Sequence, residues 1–245
     1  MIRTTTTATA KRVLRQLRHD HRTVALLIAV PNVLLILVRY AFDGRPEVFQ
    51  RAGLPLVGIF PLVSMFLVAS IAMLRERRSG TLERLMSMPT SKLGILLGYT
   101  LAFGALAVVQ AMTVLSVAVL ALDLEVAGPV WLAVVVAVAN ALLGMSMGLF
   151  FSAFAQTEFQ AIQFMPAFVL PQFMLCGLLV ARSDMARPLE VVSNWLPLTY
   201  AYDALRAVSD QTNPGGELAV DLAVTVGMGL LALTAGSTTL PRRTR

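Results

Sequence analysis

Along this chain the charged and the apolar positions fall into separate blocks instead of interleaving. Six stretches hold no Asp, Glu, Lys or Arg at all: 23–38, 52–74, 93–122, 126–157, 159–181 and 222–241. They are 16, 23, 30, 32, 23 and 20 residues long. A helix on the surface of a soluble domain needs a polar face toward water, and these blocks offer none. Charge-free apolar runs of about 18 residues or more predict transmembrane helices. The pattern therefore predicts an all-α polytopic membrane protein: one domain over 1–245 with six transmembrane helices near 23–42, 52–74, 93–122, 126–157, 159–181 and 218–241.

The segments between the blocks set the orientation. With the N-terminus inside, residues 1–22, 75–92, the turn at Glu158 and residues 242–245 carry 14 of the 20 Lys and Arg, and the outer segments carry 6. The positive-inside rule then places both termini in the cytoplasm. Composition agrees with a membrane protein: 57% of residues are hydrophobic and 14% charged, against roughly 25% charged in soluble domains. The net charge of +6 does not point to nucleic acid, because the basic residues flank the spans instead of forming one patch. Cys176 is the sole cysteine, which excludes an intrachain disulfide and a four-cysteine metal site. The first hydrophobic run has no small-residue cleavage site after it and reads as an uncleaved signal anchor.

Residues 1–10 are polar and repetitive and predict a poorly ordered tail. Over residues 10–22, Val13, Leu14 and Leu17 recur at helical spacing among Lys11, Arg12, Arg15, Arg18 and Arg22. This is a basic amphipathic helix suited to the headgroup plane; the alternative is that the first span simply continues into the cytoplasm. His19 and His21 lack the spacing and the third ligand of a zinc site.

Polar residues and prolines inside the spans are the candidates for a substrate path. Pro31-Asn32 interrupts the first span and Pro61 the second, while Pro166 and Pro171 predict a bent or broken fifth helix. Gln110, Asn140, Gln163 and Gln172 are the intramembrane amides. With Pro166 and Pro171 they form the candidate cavity set, although a bond to a neighbouring helix is the more common role for any single amide. No carboxylate or lysine lies deep in a span, which argues against a proton-relay or sodium-coupled transporter. Gly94-x-x-x-Gly98 and Gly144-x-x-x-Gly148 permit close helix contact.

The longest outer segment, 182–221, is too apolar for a plain surface loop. Pro188 can start a helix carrying Leu189, Val192, Trp195 and Leu196, and Asp203 and Arg206 can pair on a helix face. Trp195, Tyr200 and Tyr202 suit the interfacial belt, and Pro197 forces a break. This predicts an outer re-entrant helical segment before the last span. It acts either as an outer gate of Trp195, Pro197, Tyr200 and Tyr202 or as a static anchor.

In the inner loop 75–92, Ser79 can cap a short helix whose Leu82, Leu85 and Met86 form one apolar knob ringed by Arg77, Arg78, Glu83 and Arg84. Such a knob outside the bilayer calls for a partner protein; the alternative is a helix lying on lipid. The run Glu76-Arg77-Arg78-Ser79-Gly80-Thr81-Leu82-Glu83-Arg84-Leu85-Met86-Ser87-Met88-Pro89-Thr90-Ser91 resembles the E-R-x-x-G-T-L-E-R-L-x-x-x-P-x-S pattern of ABC-2-type transporter permeases, including daunorubicin-resistance-type exporters. Asn194-Trp195-Leu196-Pro197-Leu198-Thr199-Tyr200-Ala201-Tyr202-Asp203-Ala204-Leu205-Arg206 resembles the family's second recurrent segment, L-P-x-T-Y-x-x-D-A-L-R.

The resemblance implies an N-terminal elbow helix, matched by Lys11, Arg12, Leu14, Arg15, Leu17 and Arg18. It also implies a cytoplasmic coupling helix that docks on an ATPase, matched by Glu76, Arg77, Gly80, Thr81, Leu82, Glu83, Arg84, Leu85 and Met86. Two permeases and two ATPases would make the working exporter, as a homodimer or a paralogous heterodimer of permeases. Neither lysine, Lys11 or Lys92, follows a glycine, so the chain carries no Walker A loop. It is not an enzyme by itself and holds no cofactor of its own; ATP and Mg would be bound by the partner ATPase. The expected function is the permease subunit of an ATP-driven exporter in a bacterial-type plasma membrane, moving amphipathic drugs or lipids among membrane lipids. Export of a polysaccharide or lipid-linked glycan and a non-transporting scaffold are the alternatives. An intramembrane enzyme is excluded by the lack of a nucleophile–base pair or metal cluster at span depth.

Overall fold

The computed structural model describes residues 2–81, 84 and 92–239, and every element among them is helical. In chain order they are α1 (Ile2–His19), α2 (His21–Ala41), α3 (Pro46–Arg78), α4 (Lys92–Ala121), α5 (Val130–Ser152), α6 (Glu158–Leu175), a 3-10 turn (Arg182–Asp184), α7 (Arg187–Ser193), α8 (Pro197–Asp210) and α9 (Gly216–Thr239). Among the described residues five helices are long and apolar enough to cross a membrane: His21–Ala41, Pro46–Arg78, Gly94–Ala121, Val130–Ser152 and Gly216–Thr238. The run expected to cross at 159–181 is helical only from Glu158 to Leu175. Glu158, Gln160, Gln163 and Gln172 leave it without an 18-residue stretch as apolar as those of the five.

The bundle is built on α3 and α5, which pack along their lengths. Gly144 and Gly148 make this possible: a Cβ on either would run into the Leu62 or the Phe66 backbone of α3. Around this pair, α9 packs on α5, α4 on both, and α2 on α3 and α4. One end of the core holds Met65, Met73, Ile95, Tyr99 and Phe103; the other holds Leu35, Phe49, Leu54, Leu122 and Leu205.

Several local expectations change. The tail read as poorly ordered is the first half of α1, whose Thr9 and Ala10 are buried. Small residues let it come close to α4: a Cβ on Gly98 would lie 2.5 Å from Thr9 Cβ and 2.9 Å from the Thr6 carbonyl. The close helix contact that Gly94-x-x-x-Gly98 permits is made, at Gly98, with α1. That helix stops at His19 because Asp20 caps α2, its carboxylate accepting from Thr23 N at 3.1 Å and Thr23 Oγ1 at 2.7 Å. Those bonds favour the charged form and hold Asp20 below the usual carboxylate range.

The fifth apolar run is not broken at its prolines. Helix α6 is continuous through Pro166 and Pro171 and turns only beyond Leu175, where Gly177 adopts φ +102°. The expected Asp203–Arg206 pair does not form either. Asp203 instead takes Arg182 Nη2 at 2.7 Å, and Arg206 turns to Asp210 and the Tyr202 hydroxyl.

Since the α3–α5 contact sets the bundle, Gly144→Ala and Gly148→Ala are each expected to cost about 1–3 kcal/mol or more through overpacking. Gly104→Ala is the control, because its Cβ would meet Leu142 Cδ2 at an ordinary 3.5 Å. Thermal unfolding in detergent, scored for all three variants, checks this.

Candidate functional site

Helix α3 runs past the charge-free stretch 52–74 and ends in Arg75, Glu76, Arg77 and Arg78. Its last turn is held from two sides. On one side Arg75 forks onto Glu158 at the start of α6, with Nε donating at 2.8 Å and Nη2 at 3.1 Å. Arg77 donates to the Ala153 carbonyl at 2.7 Å and to the Ala155 carbonyl, closing the turn between α5 and α6. These carbonyls sit at and just past the C-terminal end of α5, where helical partners run out and a guanidinium is favoured.

On the other side Glu76, 9% exposed, faces α1 and α4. Arg12 Nη1 lies 2.9 Å from Glu76 Oε1, and Nη2 donates to Oε2 at 3.0 Å and to the Tyr99 hydroxyl at 3.2 Å. Burial lowers the Arg12 pKa, but the hydrogen bond to Glu76 and the electrostatic pull of Tyr99 and Glu76 outweigh it, so the guanidinium titrates above its ordinary value. Beside this cluster a recess of about 330 Å³ opens between α1, α2, α3 and α4, lined by Val13, Leu17, Val68, Ala72, Tyr99 and Phe103 among others.

Beyond α3, Gly80 takes φ +71°, a left-handed conformation that redirects the chain into the loop. Thr81 is half-buried and Arg84 exposed, with Arg84 N bonding to the Gly80 carbonyl at 3.0 Å. Leu82, Glu83, Leu85 and Met86 lie outside the described residues. On α1, Lys11, Leu14, Arg15 and Arg18 are exposed, Arg12 and Leu17 are half-buried and Val13 is buried.

The candidate cavity residues do not share one cavity. Gln110 is fully buried, and its Nε2 donates to the Leu27 carbonyl at 2.8 Å and to Ser64 Oγ at 2.7 Å. Leu27 stands four residues before Pro31, so its carbonyl has lost the helical donor that Gln110 now replaces. Gln172 accepts from Leu198 N at 3.3 Å at the start of α8 and donates to the Phe168 carbonyl at 3.0 Å. Asn140 is buried beside Gly58 and Leu205 with neither amide atom bonded. Gln163 and Pro171 are exposed and Pro166 is half-buried, on a helix with its own surface recess.

The outer residues also divide. Pro197 opens α8 and is buried, and the Tyr202 ring is buried against Gly177. Tyr200 is half-buried and donates its hydroxyl to the Asn194 carbonyl at 2.7 Å, while Trp195 is 77% exposed. The buried face of α8 packs on α3, α5, α6 and α9. Burial raises the Asp203 carboxyl above the usual range, opposed by Arg182 and Arg206. Asp203, Arg182 and Arg206 border a cleft of about 770 Å³ between α8 and α9.

The residues that sequence reasoning missed are Tyr99, Thr9, Glu158 as a partner and Arg182. Tyr99 left a trace, the one phenol in the charge-free stretch 93–122. The others depend on which helices meet.

The family model described as "ABC-2 type transporter" matches residues 4–209. ABC transporter G family member 20 of Dictyostelium discoideum is 28% identical over 148 residues, 58% of this chain and 19% of its own length. The Probable multidrug ABC transporter permease YbhR of Escherichia coli (strain K12) is 26% identical over 182 residues, 74% of this chain and 48% of its own. The chain thus spans half or less of the length of these relatives.

The Gln110 tie yields a test independent of transport. Gln110→Leu is expected to cost about 1–3 kcal/mol, since it strands the Leu27 carbonyl. In a Pro31→Leu background the backbone N–H of residue 31 can serve that carbonyl, and the cost of Gln110→Leu should shrink. Thermal unfolding of the four proteins checks this; strictly additive effects would count against the tie.

Proposed function

The chain belongs to the ABC-2 type transporter family and is a multi-pass membrane protein, and from that premise we propose that it is the membrane half of an ATP-driven exporter. The observation that carries the reading is the family match over 4–209. The relative named as a multidrug ABC transporter permease supports an amphipathic drug or lipid as cargo. Walls of aliphatic helices with a few amides and no deep charge suit such a molecule.

In this reading ATP and Mg are bound by separate ATPase subunits, and a second permease completes the assembly. The loop after α3 is the coupling element, with Leu82, Leu85 and Met86 as the knob the ATPase receives. The anchoring of its root by Arg75 and Arg77 supports this, because a push on the loop would reach α5 and α6 through the same bonds. The sixth crossing is α6, whose 18 residues give about 27 Å of helix, completed by residues 176–181. The excess of basic residues on the loop side and at the termini supports a cytoplasmic placement of all three in a bacterial-type inner membrane. The outer helix α8 closes the exit side, with Tyr202 and Pro197 packed inward; exposed Trp195 suits the headgroup layer.

Co-purification with the partner ATPase, followed by transport in reconstituted vesicles, tests this. Leu82→Asp is expected to abolish export and release the ATPase, because a carboxylate in an apolar groove is costly unless paired. Detergent stability should stay near wild type. A Leu82→Asp protein that still exports and still holds its ATPase would remove the coupling role.

A further inference from the structure

Glu76 belongs to the segment that the family resemblance assigns to ATPase docking, yet its carboxylate is engaged inside the chain. Both oxygens face the two terminal nitrogens of Arg12, at 2.9 and 3.0 Å, and the same guanidinium reaches the Tyr99 hydroxyl at 3.2 Å. The Glu76 side chain is 11% exposed and that of Arg12 28%. A two-pronged Arg–carboxylate contact shielded from water fixes orientation as well as distance, unlike a solvated surface pair. The exposed Lys11, Arg15 and Arg18 on the same helix offer no comparable geometry.

The placement of the three residues gives the contact its meaning. Glu76 lies in the last turn of α3, which leads into the loop, and Tyr99 lies near the start of α4, which leads out of it. Arg12 comes from α1, a helix outside the loop altogether. Below the ion pair, Val13 and Leu17 pack into the core with Ile95, Tyr99 and Phe103. Above it, Gly98 seats Thr9. Helix α1 thus bridges both roots of the 79–91 loop, fastened by charge at one level and by close packing at the next.

We propose that Glu76 is a positioning residue and not an ATPase contact: the Arg12–Glu76–Tyr99 cluster locks α1 across the two roots of the loop, so that α1, α3 and α4 move as one body when the loop is pushed. The coupling consequence rests on the transport reading above; the lock itself does not. Polar groups shared among three elements act together, so removing one should undo the others.

The test compares Arg12→Glu, Glu76→Arg and the double exchange in lipid nanodiscs and in vesicles with the ATPase bound. Hydrogen exchange of the α1 amides reads the lock without reference to transport. Each single variant is expected to speed it about tenfold, and the double exchange to return it to within about twofold of wild type. The number of substrate molecules exported per ATP hydrolysed should fall about fivefold or more in each single variant and recover in the double.

Should a charge reversal prevent folding, Tyr99→Phe and Arg12→Lys serve instead. Each removes one arm of the cluster with little change in bulk, and each should speed α1 exchange a few-fold; unchanged exchange in both overturns the lock. It is also overturned if Arg12→Glu leaves exchange and coupling at wild-type values while Glu76→Arg alone releases the ATPase, which would place Glu76 at the partner. A double exchange no better than the worse single variant overturns it as well. A wild-type assembly that hydrolyses ATP without export would instead overturn the transport reading, with the exchange measurement still deciding the lock.

Discussion

The close approach of α3 and α5 is the constraint on which the other contacts depend. In a membrane there is little hydrophobic drive between helices, since lipid is as apolar as leucine, and close packing has to supply the attraction. Gly144 and Gly148 let α5 lie against the Leu62 and Phe66 backbone of α3. With those two helices fixed, α4 and α9 find their grooves on α5, and α8 settles across the outer end with Leu205 against Gly58. A wider spacing would open the site of each of these in turn.

Backbone accounting is the second constraint, because a carbonyl without a donor is costly where no water reaches. Pro31 deletes the bond to Leu27, and Gln110 from α4 restores it while also donating to Ser64 of α3. One amide therefore links three helices, and its role is structural. Gln172 does the same for the first turn of α8, offering its oxygen to the Leu198 N–H that helix geometry leaves free. Asn140 differs: both its amide atoms are buried and unbonded, at a cost of about 1–3 kcal/mol for each unsatisfied group. That makes the contact among α3, α5 and α8 the least satisfied polar point of the described bundle interior.

Much of the architecture was legible in the sequence because desolvating charge is so costly that it marks span positions directly. Among the described residues, five of the six charge-free blocks fall on helices of crossing length, and Gly144-x-x-x-Gly148 marked the central contact correctly. The fifth block differs in extent because charge alone was counted: Gln160, Gln163 and Gln172 carry no charge yet polarise α6, and the helix ends at Leu175, before the turn at Gly177. The first ten residues were misread because five threonines look soluble until a glycine on another helix is found to seat one of them, Thr9. The amides were legible as polar sites but not as partners, since a pattern along one helix does not reveal which neighbour it meets. The loop root shows the same limit. Glu76 and Arg77 stand in one motif, and nothing in the spacing tells that one faces α1 and the other the end of α5.

The length of α3 explains why this root is where so many polar bonds gather. Its 33 residues extend about 50 Å, against about 30 Å of hydrocarbon, so its last turns project beyond the lipid. A projecting helix end in water would fray, with its final carbonyls and three arginines solvated and free to move. Here Arg75 and Arg77 grip the α5–α6 turn while Glu76 grips α1. Successive residues on a helix point about 100° apart, so Glu76 turns to α1 while Arg75 and Arg77 on either side of it reach the α5–α6 turn. That geometry turns the end of one helix into a junction of five. A displacement delivered to the loop at Gly80 meets this junction first and cannot move α3 without loading α1, α4, α5 and α6.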